Sequence, residues 1–327
     1  MKIHVNNTTK VVLSLLLASA IMWWMYRGTA WEDVQRAVNT EMRWKWMVLS
    51  MPFGILAQVF RATRWQQMLQ AMGKRVRLST CVNAIFLSYA SSLAVPRIGE
   101  FLRCGTLKRW EGIPFSEGVG TVVSERVLDM AIILLLTLIT VATQIPVFSD
   151  FMAQTGMSLT SMIGGFTTMG YVVTAVCGVV AIATLWLLAR RLQLTQHASR
   201  VAKGMLTGML SVRGVRHPGI FVFYSLGIWV AYFLHFYLTF YCFDYTENLG
   251  PLPALVAFMV GCFAVLVPTP NGAGSWHFAV KTVLVLYGVA GSQGAMFVLI
   301  VHTLQTLLVV VLGLLAMGWL AFTKKRN

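Results

Sequence analysis

The sequence predicts an all-α protein, a polytopic bundle of transmembrane helices with two oppositely inserted re-entrant, broken helical hairpins. Three observations predict it. Hydrophobic residues make up 57% of the 327 positions and charged ones only 11%, and the apolar residues fall in several runs of spanning length. Lys and Arg total 26 against 11 Asp and Glu, yet they cluster in short segments beside those runs. There they set orientation and meet anionic headgroups, not nucleic acid. Two apolar stretches are broken by Pro and Gly, which a membrane tolerates only where the freed backbone is buried in protein or watered. A soluble domain is thereby excluded, and residues 1–327 read as one integral membrane domain of about six full spans plus hairpins near 78–110 and 251–290.

Along the chain, Lys2 and Lys10 precede an apolar run at 11–26. Ala18-Ser19-Ala20 resembles a signal cleavage site, but it sits mid-run, so a retained first helix is the expectation. Residues 29–43, with their charges and Trp31, suit a helix in the headgroup layer. A second span covers 44–60. Residues 61–77 carry Arg61, Arg64, Lys74, Arg75 and Arg77 without an acid, which the positive-inside rule assigns to the cytoplasm together with the N-terminus.

Residues 78–95 are apolar but contain Asn83, Ser88, Ser91 and Ser92 and stop at Pro96; the next segment, 97–110, is basic again. A full crossing would strand Arg97, Arg103, Lys108 and Arg109 outside, whereas a hairpin that returns to the cytoplasm does not. Spans at 117–144 and 168–188 follow, separated by an external loop at 145–166 that carries only Asp150. Residues 190–219 form a second cytoplasmic basic loop with room for a surface helix. A span at 220–243 leads to the acidic loop of Asp244 and Glu247. Apolar pieces at 252–267 and 276–289 flank the break 268–274, and the last span, 295–322, ends in Lys324-Lys325-Arg326. The interrupted pair thus begins and ends outside, either as two thin crossings, for which about 14 residues is short, or as an external re-entrant hairpin opposite to the first. Oppositely inserted broken segments are the signature of an inverted-repeat transporter with its site at mid-depth. Cys81, Cys104, Cys177, Cys242 and Cys262 lack metal-type spacing and read as small core hydrophobes.

Charge near hydrocarbon is costly unless paired or watered, which makes it a candidate site. In 96–103, Arg97 and Arg103 near a helix start can hold a phosphate while Glu100 orients one of them. The alternative is a surface turn in which Glu100 and Arg103, at i and i+3, simply pair. Glu125 and Asp129 share one helical face, with Arg126 three residues before Asp129; the alternative is a structural ion-pair network. In the second break, Gly272 and Gly274 leave backbone able to approach a ligand, and His277 and Lys281 follow at i, i+4. Arg61 and Arg64 read as snorkelling cations at a helix end beside interfacial Trp65, with a binding role as the secondary reading. His235 and His302 read as core histidines. No Walker loop, zinc-protease helix or nucleophile elbow is present in the sequence, so catalysis has no motif to support it, and no cofactor or metal is expected.

At these residues the chain resembles the transmembrane flippase-like family typified by the membrane region of lysylphosphatidylglycerol synthases. The likeness runs in order through Arg61-x-x-Arg64-Trp65, Pro96-x-x-Gly99-Glu100-x-x-Arg103, Glu125-Arg126-x-x-Asp129 and Pro268-x-Pro270-x-Gly272-x-Gly274. The family's pattern usually has a glutamate where this chain has His277, which hints at a different substrate. The sequence ends at Asn327 just after its last span, without the aminoacyl-transferring domain of the full-length synthases, so the resemblance implies lipid translocation without lipid synthesis.

The expectation is a multi-pass protein of the plasma (inner) membrane, both termini cytoplasmic, that moves a phosphate-bearing amphipathic lipid between leaflets. Its partners are membrane lipids, a phospholipid or a polyprenyl-phosphate lipid, with a second copy of the chain or a lipid-synthesis enzyme as protein partners. Two readings stand beside it: an intramembrane enzyme acting on headgroups through His277 or Glu125, and a membrane scaffold for a lipid-synthesis partner.

Overall fold

The computed structural model describes residues 16, 19–28, 30–95, 98–155, 196–267 and 269–323, with the main chain alone at 144–155 and 196–202. Arg97 and the Pro96 apex, Pro268, Cys177, the span expected at 168–188 and the basic tail at 324–326 lie outside the described residues.

The described secondary structure is helical. After helical residues 19–26, the labelled helices are α1 Trp31–Arg36, which runs on as a π-turn, α2 Trp44–Ala71, α3 Leu78–Ala94, α4 Ile98–Glu111, α5 Phe115–Thr155, α6 Gln196–Leu210, α7 Pro218–Tyr237, α8 Asp244–Glu247, α9 Pro251–Ala264, α10 Ser275–Leu286 and α11 Gly291–Phe322. Among the described residues three stretches are long and apolar enough to cross a bilayer, Phe115–Thr143 in α5, Pro218–Cys242 through α7 and the 3-10 turn after it, and Gly291–Phe322.

Helix α2 corrects the expected boundary at residue 60. It continues through the basic stretch to Ala71, because nothing between Phe60 and Gly73 breaks a helix and Ala62, Gln66, Met68 and Leu69 favour one. The chain turns at Gly73, whose φ is +75°; its N–H and that of Lys74 close onto the carbonyls of Gln70 and Leu69, a glycine-terminated helix end. The buried positions Met47, Ser50, Gly54, Gln58, Arg61, Arg64, Trp65 and Met68 recur at helical spacing, so the polar groups lie on the inward stripe. The same inversion marks α5. Val127, Met130, Leu134, Leu138 and Val141 are exposed, while Thr121, Glu125 and Asp129 are buried. Apolar outside and polar inside is how a helix faces lipid. Helix α5 also extends to Thr155, past the start of the loop expected at residue 145.

The two broken pairs are antiparallel. In the first, Gly99 of α4 lies against Ser88 and Ser92 of α3 near the bend, while at the far end Glu111 meets Arg77 and Thr80. In the second, Gly261 of α9 touches Trp276 and Val280 of α10. Both pack along α11, in opposite senses. The open end of the second pair lies by its start, with Gly294 against Lys281 and Leu284. The open end of the first lies by its finish, where the Trp110 indole donates to the Leu320 carbonyl at 3.1 Å. Midway, the Pro270–Gly272 turn packs against α3 and Asn271 bonds to Thr306 of α11. An apolar core of Phe236, Phe240, Phe243, Val280, Leu284, Phe297 and Val301 fills the second half of the bundle. A smaller one, with Trp65, Leu69, Cys81, Ile85 and Leu107, joins α2 to the first pair. Cys81, Cys104 and Cys242 are buried free thiols.

A Cβ on Gly99 would stand 1.9 Å from the Ser88 carbonyl oxygen, so Gly99→Ala should force α3 and α4 apart and destabilise the fold by about 1–3 kcal/mol. Gly105→Ala on the same helix meets nothing within 4 Å and should leave thermal unfolding in detergent unchanged or slightly raised. Equal melting of the two variants would refute the close approach.

Candidate functional site

Three helices bring seven charged side chains together. Arg61 and Arg64 come from successive turns of α2, Glu100 and Arg103 from the first turns of α4, and Glu125, Arg126 and Asp129 from α5. Arg61 Nη1 donates to both Glu125 Oε1 and Asp129 Oδ2 at 2.5 Å. Arg64 Nη2 donates to Asp129 Oδ1 at 2.8 Å and lies 3.6 Å from Glu125. Arg103 Nη1 reaches Glu125 Oε2 at 3.0 Å. Glu125, Arg64 and Arg103 are at most 1% exposed. Arg126 differs: its side chain is 44% exposed, and its Nε lies 2.7 Å from Glu100 Oε1, with Asp129 3.8 Å away.

Aromatic groups shape the cluster. The Arg103 guanidinium stacks 5.0 Å over Trp65, whose indole donates to Thr121 Oγ1 at 2.8 Å, so Trp65 is a buried wall where the sequence suggested an interfacial aromatic. Arg61 sits 6.0 Å over Tyr232, a ring held by its hydroxyl bond to Tyr89; such cation–π contacts help hold a buried guanidinium.

Charge in the cluster does not balance. Four arginines face three carboxylates, which leaves one positive charge in excess. Several guanidinium nitrogens, Arg61 Nε, Arg64 Nε and Nη1, and Arg103 Nε and Nη2, are buried with no hydrogen-bond partner among the described residues. Buried donors left open are costly. Chemically, the arrangement holds net positive charge and N–H groups that are buried without a partner among the described residues.

Three sequence expectations change here. Arg61 and Arg64 are not snorkelling cations at a helix end but the α2 arm of the buried network, since α2 does not stop at residue 60. Glu100 pairs with Arg126 across helices, not with Arg103 three residues on, and Arg103 turns inward to Glu125. The residues of the second break stand apart: among the described residues no hydrogen bond or ion pair joins Gly272, Gly274, His277 or Lys281 to the arginine cluster.

That second centre forms around the bend between α9 and α10. Asn271, with φ +52°, donates through Nδ2 to Thr306 Oγ1 at 2.8 Å, and its carbonyl lies 3.2 Å from His302 Nε2. His277 is buried, and its Nδ1 accepts the Gly274 N–H at 3.2 Å, so it caps its own helix. Its ring meets that of His302 with centroids 4.5 Å apart. Lys281 lies half-buried against Gly294, and among the described residues it forms no ion pair. His302, read as a core histidine, is therefore the partner of both His277 and Asn271. A polar face on α11, where His302 and Thr306 recur at i, i+4, is the signal that reveals it.

Residues 11–313 match the family model described as the Lysylphosphatidylglycerol synthase TM region. A relative described as a UPF0104 membrane protein, from Methanothermobacter thermautotrophicus, is 24% identical over 319 residues, spanning 92% of this chain and 90% of that protein. Both matches describe a membrane protein, and the family match covers all the described residues of the arginine cluster. The chain belongs to the lysylphosphatidylglycerol synthase TM region family.

Proposed function

We propose that the protein moves a phosphate-bearing amphipathic lipid between leaflets, using the arginine cluster as its headgroup site. The observation that carries this is the set of buried guanidinium N–H groups without a partner among the described residues, beside an excess positive charge and inside helices whose outer faces are apolar. A phosphate satisfies several such donors at once, and arginine suits it geometrically. Glu100, Glu125 and Asp129 keep the arginines neutralised while no ligand is bound, because a buried charge without a partner costs far more than a paired one.

The packing of the two antiparallel pairs in opposite senses along α11 supports re-entrant hairpins inserted from opposite sides, with their bends near mid-depth, as in transporters with inverted repeats. Arg103 lies only about 8 Å along α4 from its start, at 1.5 Å per residue. Lys74, Arg75, Arg77 and Arg216 gather at one end of the bundle, and Arg43 pairs with Asp244 and Glu247 at the other. Positive charge at the first end supports an orientation with that end and both termini in the cytoplasm; the proposal takes the membrane to be an inner membrane and the whole chain to be one domain. With no nucleotide-binding motif in the sequence, translocation is passive or ion-coupled.

Reconstitution in liposomes with fluorescent phosphate-bearing lipids tests the reading. The protein should carry label from the inner leaflet to an outside quencher faster than protein-free vesicles do. No acceleration across several headgroups rejects translocation, and a chemically altered headgroup recovered by mass spectrometry points to an enzyme instead.

A further inference from the structure

Away from the arginine cluster, two imidazoles meet at the second break, and each holds the bend through one ring nitrogen. His277 Nδ1 accepts the Gly274 N–H at 3.2 Å, which caps the first turn of α10 and leaves the proton of the neutral ring on Nε2. His302 Nε2 lies 3.2 Å from the main-chain carbonyl of Asn271. A carbonyl only accepts, so that nitrogen carries the proton, and the bond survives whether the ring is neutral or charged. Asn271 itself sits at φ +52°, a conformation that a residue with a side chain keeps only where its surroundings impose it.

The titratable groups around the pair are few. Tyr26 meets the His277 ring edge-on at 6.1 Å, Lys281 follows one turn along α10, Cys262 lies on α9, and Cys81 and Tyr89 lie on α3, against which the Pro270–Gly272 turn packs. His235 of α7 lies with its Nδ1 2.8 Å from the Ser50 carbonyl, and its own carbonyl accepts from Gln305 of α11. Residues 19–26 and helices α3, α7, α9, α10 and α11 contain no Asp or Glu. An imidazolium formed here has no carboxylate partner from these elements, so the state described is the neutral one, because a buried charge without a partner is costly.

We propose that the His277 and His302 pair is a proton-binding site, and that a proton is the ion coupled to lipid movement, an assignment of the coupling ion that rests on translocation by the arginine cluster. Imidazole is the side chain whose charge changes near neutral pH. A proton from water enters at His302, the less deeply buried ring, and passes to His277, whose ring centroid is 4.5 Å away. On His277 Nδ1 it turns the acceptor of the Gly274 N–H into a donor. The cap is lost and the bend is released. Two imidazolium rings so close repel each other, so the pair takes one proton at a time. The turn packs against α3, and Ser88 and Ser92 of α3 lie against Gly99, the residue before Glu100. Release of the turn therefore frees the helix that positions the first turn of α4, where Glu100 and Arg103 enter the arginine cluster.

His277→Gln tests this, because a glutamine at the third position of a helix accepts the same cap hydrogen bond and cannot take up a proton. Hydrogen exchange is measured on the full-length chain in detergent over residues 272–280, at about pH 5 and about pH 8 and corrected for the intrinsic effect of pH. Protection in the wild type should fall several-fold in acid, while His277→Gln stays protected at both values. His217→Gln, at an exposed histidine in the link between α6 and α7, should behave as the wild type does. Equal protection of the wild type at both pH values, or an equal loss in His277→Gln, overturns the proton site. Leaflet exchange of a fluorescent phosphate-bearing lipid in liposomes, with and without an imposed pH gradient, then reads the coupling. The wild type should exchange several-fold faster with the gradient, and His277→Gln should not respond to it. Exchange that ignores the gradient overturns proton coupling and leaves translocation standing. No exchange under any condition, with the bend still responding to acid, rejects translocation and supports the proton site alone.

Discussion

Replacing Glu125 by Ala should unfold the protein more readily than any other single truncation in the bundle, by about 3–5 kcal/mol. Glu125 is fully buried and faces Arg61 at 2.5 Å, Arg103 at 3.0 Å and Arg64 at 3.6 Å. Without it, Arg61 and Arg64 still share Asp129, but among the described residues Arg103 has no other carboxylate within ion-pair distance and remains 1% exposed. That orphaned guanidinium dominates the loss. Asp129→Ala should therefore cost less, because Glu125 still holds all three buried arginines. The same reasoning predicts partial rescue: Arg103→Met in the Glu125→Ala background removes the unpaired charge and keeps an apolar chain against Trp65, so the double variant should be more stable than Glu125→Ala alone. Thermal unfolding in detergent reads all four proteins. If Glu125→Ala melts with the wild type, the buried network does not hold these helices together.

Much of that network is legible in the sequence, and what is missed has a physical cause. Carboxylates at i, i+4 in an apolar run, as Glu125 and Asp129 are, announce an inward polar face, because no other arrangement is tolerable in lipid. Pro and Gly punctuation likewise marks both broken pairs. Arg61 and Arg64 are harder, since a cluster of cations after an apolar run looks like a cytoplasmic loop; only the continuing stripe of Ser50, Gly54, Gln58 and Trp65 shows that the inward face of α2 carries on past residue 60. Partner choice is not legible at all. Glu100 and Arg103 satisfy a helical spacing rule worth only a few tenths of a kcal/mol, and tertiary packing overrides it by giving each a partner of opposite charge on α5. The second centre fails for a similar reason: His277 and His302 meet only because α10 and α11 run antiparallel, and neither periodicity nor composition gives that pairing.

The exposed end of the cluster yields a prediction of opposite signs. Arg126 is the one arginine of the cluster with substantial side-chain exposure, and Glu100, 35% exposed itself, is its nearest acid. An incoming phosphate must displace Glu100 or share Arg126 with it. Glu100→Gln removes that competitor and leaves a neutral side chain of the same shape, so a phosphate-bearing lipid should bind several-fold tighter. Arg126→Ala removes the cation that, on the proposed function, meets the headgroup first, so binding should weaken and leaflet exchange in liposomes slow by about tenfold, the scale of one charge-assisted hydrogen bond to phosphate. Stability should barely move in either case, because a half-exposed pair contributes at most about 1 kcal/mol. Loss of fold cannot produce changes of opposite sign, so the pair of variants separates a ligand site from a structural tether. A tether predicts that both variants loosen the contact between α4 and α5 and leave affinity where it was. If Glu100→Gln weakens lipid binding as much as Arg126→Ala does, the carboxylate is part of the ligand site and not its competitor, and the order of events at the headgroup proposed for this cluster is wrong.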